Sequence, residues 1–343
     1  MLTFNNKIKV HIKNNRGRPG KFPCDLEGEK NFTITKKHFE NALKNEPELK
    51  KKIDFFIDWD EDNFNSSISN SDILLTYDFP ISNLKKNAPK LKWIHCTAAG
   101  VEHLYPFNWV YKGLKITNSS GVHSEKAGEY GLMSVLMLQN HIPKIFTNQN
   151  YRKYVSLFSN PIKGKNIVLV GTGSLGSSMA KIVHPLGANI IGVNKRGKPV
   201  AGCSKVVKID KIDRVLPLAD ILYLALPETP QTKNLINKKR LNLLKKTCGI
   251  VNIGRQSVLD YEILCKKLIK NELAGAILDV FNQEPIEKKS KFWKIPNLII
   301  TPHVSSDDHG NYIEKTLSLF IKNLKLFLKK KKMITEIDIN LGY

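Results

Sequence analysis

The chain has 343 residues, 41% hydrophobic and 25% charged, with ordinary Gly and Pro content. This excludes a largely disordered chain, a collagen and a coiled coil, and the length suggests about two domains at roughly 100–200 residues each. Lys and Arg number 54 against 31 Asp and Glu, a formal charge of +23.

A balance this basic prompts a nucleic-acid reading. Only seven of the 54 cations are Arg, however, and the lysines are spread over the whole chain. Phosphate and base recognition favours the bidentate Arg fork. The excess is read as a solvated lysine surface with some general attraction for anions, and no nucleic-acid partner is expected. Five cysteines stand at 24, 96, 203, 248 and 265. An odd number, wide spacings and the lack of any CxxC point to reduced thiols and no metal site. No apolar run approaches the ~20 residues that cross a bilayer, and the start of the chain lacks an apolar leader. A cytoplasmic protein with no membrane partner is the expectation.

In chain order, Ile8–Ile12 reads as a strand and Lys13–Gly28 as a loop, and Thr35 is placed to cap a helix over Lys36–Asn45. Ile53–Ile57, Asp72–Thr76, Trp93–Cys96 and Leu114–Thr117 read as further strands. Ser124–Asn140 is helical in pattern with Ser124 as N-cap. Asn166–Val170 is a buried-type strand and a helix runs on to His184. Ile190–Val193, Ile221–Leu226, Gly249–Ile253, Ala276–Leu278 and Leu298–Ile300 continue the strand series, and Tyr312–Leu328 is an amphipathic helix. Strands alternating with helices predict parallel sheets.

Directly after the Asn166–Val170 strand stands Gly171-Thr-Gly-Ser-Leu-Gly176. In this context Gly171 suits a tight turn, Gly173 a close approach to a pyrophosphate, and Gly176 close packing of helix on strand. The helix start at Ser174 and Leu175 offers free N–H groups to the anion. The next strand normally ends in an acid that holds the ribose hydroxyls. Here the run is Val193-Asn194-Lys195-Arg196. With no carboxylate to repel a 2′-phosphate and two cations to pair with it, NADP(H) is favoured and NAD(H) remains possible. The alternative is a solvated basic turn.

Three residues that follow successive strands carry chemistry of their own: a cation able to hold an anion, and an acid–base pair. Arg255 follows the Gly249–Ile253 strand, at the strand end where open α/β sheets bind ligands. Its fork can grip a carboxylate. His303 follows the last strand and titrates near neutral pH, and Glu284 can orient it and favour its protonated form.

The blocks Leu91-Lys-Trp-Ile, Ala98-Ala-Gly-Val-Glu-His103, Gly121-Val-His-Ser, Leu226-Pro-Glu-Thr-Pro230, Val251-Asn-Ile-Gly-Arg255, Leu278-Asp-Val-Phe, Glu284-Pro285 and Thr301-Pro-His-Val-Ser305 occur in order. Together with the glycine motif and the tail Asn340–Tyr343 they resemble the D-isomer-specific 2-hydroxyacid dehydrogenase family, its glyoxylate/hydroxypyruvate-reductase-like branch above all. One departure is Gln256, where the family usually has glycine after the arginine.

The resemblance implies two Rossmann-like parallel-sheet α/β domains. The substrate domain comprises residues 1–121 plus 308–343, and the coenzyme domain, 122–307, is inserted within it. The chain then crosses twice, making a hinge that closes a cleft. The resemblance further implies that the Ala98–Val101 turn, through Ala99, Gly100 and Val101, gives N–H groups to the substrate carboxylate. Arg255, Glu284 and His303 are the implied catalytic set. Pro227, Thr229 and Pro230 are expected to line the nicotinamide, and Asp279 to bond its carboxamide. The small-molecule partner is a 2-oxo or 2-hydroxy acid, and a homodimer built around Ser124–Asn140 is expected. Trp93 and His103 are assigned to packing, and His11, His38, His141, His184 and His309 to structure or surface. A second class stays open: a dinucleotide-sensing corepressor of the same fold, which would need an exposed apolar groove in the first domain.

Overall fold

The computed structural model describes residues 7–23, 25–59, 64–306, 308 and 310–339. Cys24, Asp307, His309 and the Asn340–Tyr343 end lie outside the described residues. The chain divides into two compact units: Met1–Val122 with Asp308–Tyr343, and His123–Asp307. The second unit is thus an insertion in the first.

The first unit is built on five strands, β1 (Ile8–Asn14), β2 (Ile53–Trp59), β3 (Ile73–Thr76), β4 (Trp93–Cys96) and β5 (Lys115–Thr117), in the order β2-β1-β3-β4-β5. All pairs are parallel. β3 and β4 are buried along their whole length, as befits strands covered on both faces. The helix Tyr312–Leu328 returns to this unit and buries Leu317, Phe320, Ile321 and Leu324 against it. Trp93, fully buried, stacks on Phe320 with ring centroids 4.9 Å apart. His103 stacks on Tyr77 at 4.4 Å.

The second unit carries β6 (Asn166–Val170), β7 (Asn189–Asn194), β8 (Lys205–Lys208), β9 (Ile221–Leu224), β10 (Gly249–Asn252), β11 (Gly275–Leu278) and β12 (Leu298–Ile300). The order is β12-β11-β10-β9-β6-β7-β8, again wholly parallel. Sequence order reverses between β6 and β9. That switch point is where open α/β sheets bind their ligands.

Several elements differ from the sequence reading. Ser124 opens its helix, but the N-cap is His123, and no side chain caps the end. Within the expected Lys13–Gly28 loop, β1 runs on to Asn14 and a helix starts at Leu26, capped by Asp25 on the N–H of Gly28 at 2.8 Å. The helix after Thr35 stops at Ala42. The short edge strand β8, with lysine at both ends, gave no strand signal. Among the described residues no helix is long and apolar enough to cross a membrane, and no cluster of three or more His, Cys, Asp or Glu could hold a metal ion.

Candidate active site

Each glycine of the Gly171–Gly176 turn has its own reason. Gly171 has φ +96°, and a Cβ there would meet the carbonyl oxygen of Ala225 at 2.5 Å. A Cβ on Gly176 would collide with the carbonyl oxygen of Gly171. Gly173 caps the helix Ser174–Val183 in extended conformation, φ −70° and ψ −165°, which any residue adopts. Nothing lies within 4 Å of where its Cβ would stand. The fold therefore needs Gly171 and Gly176 for itself. Gly173 leaves a bare backbone cradle at an uncapped helix start, the shape and polarity a pyrophosphate fits. The donor set and the cradle thus suit a dinucleotide.

Asn194 closes β7, and its side chain bonds both its own turn and the glycine loop. Nδ2 donates to Thr172 Oγ1 at 2.9 Å and to the carbonyl of Lys198 at 3.1 Å, while Oδ1 accepts from the N–H groups of Arg196 and Gly197 at 3.1 and 2.6 Å. An Asp could not make the two donations. Asn194 thus builds the turn and ties it to the glycine loop. Lys195 and Arg196 stand exposed on it, without an ion-pair partner among the described residues.

The loops at the ends of β9 and β11 carry Pro227, Thr229, Pro230 and Asp279. Pro227 and Pro230 are exposed, whereas Thr229 is buried. Thr229 Oγ1 bonds Thr232, whose hydroxyl donates to the carbonyl of Pro227 at 2.7 Å. Asp279 is fully buried. Its Oδ1 accepts from Thr301 Oγ1 at 2.5 Å and from the N–H of Val304 at 3.0 Å, and its Oδ2 accepts from the N–H of Ser305 at 2.9 Å. Tyr130 donates to the same Thr301 hydroxyl at 2.7 Å. Asp279 therefore pins the loop that carries His303.

His303 sits on that loop in left-handed conformation, φ +56°. Its Nδ1 lies 2.8 Å from Glu284 Oε2, and Glu284 Oε1 accepts the N–H of Phe281 at 2.6 Å. The bond to Glu284 raises the imidazole above the ordinary histidine value, against opposing desolvation and the nearby Arg255. Burial pushes Glu284 up, but bonds from His303 and Phe281, with Arg255 close by, hold it below the usual carboxylate value. Nε2 of His303 has no hydrogen-bond partner among the described residues.

Arg255 follows β10 and is half-buried, with Nη1 donating to the carbonyl of Gly254 at 2.8 Å. Its turn is shaped by Asn252, a buried residue the sequence reading did not single out. Asn252 Oδ1 accepts the N–H of Gly254, and its Nδ2 donates to the carbonyl of Arg255 and to Tyr261 Oη. Gln256 opens a short 3₁₀ turn and creates no positive φ. The departure from glycine thus leaves the backbone beside Arg255 ordinary.

In the first unit, the turn after β4 holds Ala99, Gly100 and Val101. The carbonyls of residues 96–99 all accept hydrogen bonds: from Ser119 Oγ at 3.3 Å, Tyr312 Oη at 2.6 Å, the N–H of Ser119 at 2.9 Å and Asn118 Nδ2 at 2.6 Å. The N–H groups of Ala99, Gly100 and Val101 have no partner among the described residues.

Comparison with known proteins fits this geometry. Residues 132–305 match the family profile described as D-isomer specific 2-hydroxyacid dehydrogenase, NAD binding domain. The glyoxylate reductase of Pyrococcus horikoshii is 30% identical over 251 residues, 71% of this chain and 75% of that one. A D-isomer specific 2-hydroxyacid dehydrogenase from Xanthobacter autotrophicus Py2, solved with NADPH and MES, superposes with a TM-score of 0.80 at 20% identity, covering 98% of this chain and 100% of that one. The NADPH-dependent glyoxylate/hydroxypyruvate reductase of Sinorhizobium meliloti, solved with NADP and sulfate, gives 0.77 at 20% identity over 98% of this chain and 100% of that one. The chain belongs to the D-isomer specific 2-hydroxyacid dehydrogenase family and is an NAD(P)-dependent oxidoreductase.

Proposed function

We propose that the chain reduces a small 2-oxo acid, glyoxylate or hydroxypyruvate, to the D-2-hydroxy acid, with NADPH as the preferred coenzyme. The observation that carries this reading is the His303–Glu284 pair at 2.8 Å, set beside Arg255. The three follow successive strands of one sheet, β10, β11 and β12. Gly171, Gly173 and Gly176, with the N–H groups of Ser174 and Leu175, hold the pyrophosphate. Lys195 and Arg196 take a 2′-phosphate, and Pro227 offers an apolar wall to the nicotinamide. The bound dinucleotide supplies the hydride.

The protein's own groups do the rest. The Arg255 guanidinium holds the substrate carboxylate and polarises the adjoining carbonyl. The N–H groups of Ala99, Gly100 and Val101, without a partner among the described residues, offer the first unit's donors to a substrate carboxylate. His303, protonated and steadied by Glu284, gives its Nε2 proton to the carbonyl oxygen as the carbon is reduced. In the reverse direction neutral His303 takes that proton back. Thr229 and Asp279, with their oxygens committed inside the protein, shape the surrounding loops.

A homodimer is part of this reading. Tyr151, Tyr154, Val155 and Phe158 are exposed beside the helix Ile142–Asn150, which itself exposes Ile145 and Phe146. Exposed apolar side chains of this kind suit an association surface. Free thiols at Cys96, Cys203, Cys248 and Cys265 accord with a cytoplasmic setting. The corepressor reading finds less support. The cavity of about 480 Å³ along edge strand β2 has five charged residues, Lys7, Lys36, Glu40, Lys50 and Asp54, among the ten that line it, so it is not an apolar groove.

The test is oxidation of NADH and NADPH measured against glyoxylate, hydroxypyruvate, pyruvate and phenylpyruvate. Turnover of the two small acids by wild type is expected, with kcat and KM both impaired in Arg255→Lys, which lacks the planar fork. An Arg255→Lys enzyme changed only in thermal stability would remove Arg255 from the mechanism.

A further inference from the structure

We propose that Asn118 is a positioning residue for the substrate carboxylate, acting by fixing the direction of the Gly100 N–H. This rests on the reading that the Ala99–Val101 turn receives that carboxylate. In a planar trans peptide, C=O and N–H point in opposite directions. A donor that holds the carbonyl of one residue therefore aims the N–H of the next. Asn118 Nδ2 holds the carbonyl of Ala99 at 2.6 Å and so aims the N–H of Gly100. The N–H of Ser119 holds the carbonyl of Ala98 at 2.9 Å and so aims that of Ala99. Successive carbonyls are turned inward and successive N–H groups outward, the arrangement of a backbone nest for an anion.

Asn118 is well placed for this work because it cannot move. It is 7% exposed. Its Oδ1 accepts the N–H of Ser120 at 3.1 Å, which settles the orientation of the amide. Its backbone is clasped by Thr335, which accepts from the Asn118 N–H at 3.3 Å and donates its hydroxyl to the Asn118 carbonyl at 2.5 Å. Thr335 Oγ1 in turn accepts from Asn323 Nδ2 at 3.3 Å, and Asn323 Oδ1 accepts the N–H of Ile334 at 2.7 Å. The C-terminal helix and the segment after it thus brace the turn through Asn118. Next to it, buried His95 bonds Thr117 Oγ1 at 2.6 Å and Ser119 Oγ at 3.3 Å, which keeps Ser119 in place.

The experiment compares the 2-oxo acid turned over fastest with its methyl ester, in wild type, Asn118→Ala and Asn118→Asp. Asp matches Asn in size but has no donor when ionised. Both variants should lower kcat/KM for the acid about 10-fold, one decade for a weakened hydrogen bond to a charged group. The effect should lie in KM, the ester should change less than about two-fold by the same reasoning, and coenzyme affinity should be unaltered. An equal fall on acid and ester, or no fall on the acid, would overturn the proposal. Gly100→Pro, which removes the N–H itself, separates the two layers. If it raises KM for the acid while the Asn118 variants do not, the turn binds carboxylate and Asn118 does not position it. If it leaves the acid's KM unchanged, the turn does not read the carboxylate and the proposal falls with it. Should Gly100→Pro fail to fold, the acid-to-ester ratio in the Asn118 variants still decides.

Discussion

The side-chain carbonyl of Gln256 accepts the N–H of Asn282 at 2.6 Å, joining the loop that carries Arg255 to the loop that carries Glu284. The residue that departs from the family pattern is thus a cross-link between two parts of the site. Gln256→Ala should cost about 0.5–1.5 kcal/mol of stability, the net worth of one hydrogen bond. It should also lower kcat/KM by roughly two- to ten-fold on the same scale. Denaturant midpoints and steady-state kinetics together check this, and a variant at least as stable and as active as wild type would show the cross-link to be idle.

His303 and Glu284 set the pH dependence. The raised value of His303 keeps the imidazolium to higher pH than a free histidine does. Reduction consumes the imidazolium, so its rate should hold at lower pH and fall as pH rises through that value, with oxidation rising over the same range. Glu284→Gln removes the negative charge and should move the fall to lower pH. His303→Ala should lower kcat for reduction by about 10²–10⁴ on the low-pH side of that fall, and remove the fall itself. Initial-rate profiles in both directions provide the readout, and a His303→Ala enzyme with near-normal kcat would sink the assignment.

Coenzyme choice should rest on Arg196 and Lys195. NADPH is expected to show a kcat/KM at least about 10-fold above NADH, since each 1.4 kcal/mol is one decade. Added salt should erode the preference, because exposed charge pairs are screened over ~10 Å at 0.1 M. Arg196→Ala should narrow the ratio. Asn194→Asp is a poor test, because it also loses the bonds to Thr172 and Lys198 that build the turn. A wild-type ratio favouring NADH would make these cations plain solvated surface.

Two buried histidines should make the protein acid-labile. Burial lowers His11 to about 4, opposed by Asp58, and lowers His95 to about 3. Unfolded histidines take up a proton near pH 6.5. Below that pH the unfolded state binds more protons, so stability should fall by about 1.4 kcal/mol per pH unit for each histidine until the folded value is reached. Urea midpoints at pH 7 and pH 5 measure the slope, and His11→Gln, which does not titrate, should flatten it. Equal midpoints for wild type at the two pH values would contradict the burial argument.

Much of this was legible in the sequence because it is local. The apolar runs that became β3, β4, β6 and β10 are too hydrophobic to lie anywhere but in a covered sheet, and the glycine turn announces itself by its place after a strand. The second roles were hidden because they are set by distant partners. Asp279 reads as a ligand-facing acid at a strand end, and its bonds to residues 22–26 positions later, which pin the His303 loop, leave no trace in the local sequence. Thr229 reads as a pocket wall, but its hydroxyl is spent on Thr232. Asn118 carries no signal at all until Thr335, more than two hundred positions away, is seen to clasp it. Helix starts were missed where the cap lay inside a polar stretch, as with Asp25.

The insertion also bears on the order in which the protein matures on the ribosome. The core of the first unit includes Leu317, Phe320, Leu324 and Met333, and β5 gains an outer neighbour through the bridge of Thr117 to Glu336. The second unit draws all its strands from residues 166–300. During vectorial synthesis, where domains fold as units, the N-terminal sheet must wait, missing its last helix, while the inserted unit emerges and completes. The part of the chain made first is then the last to close.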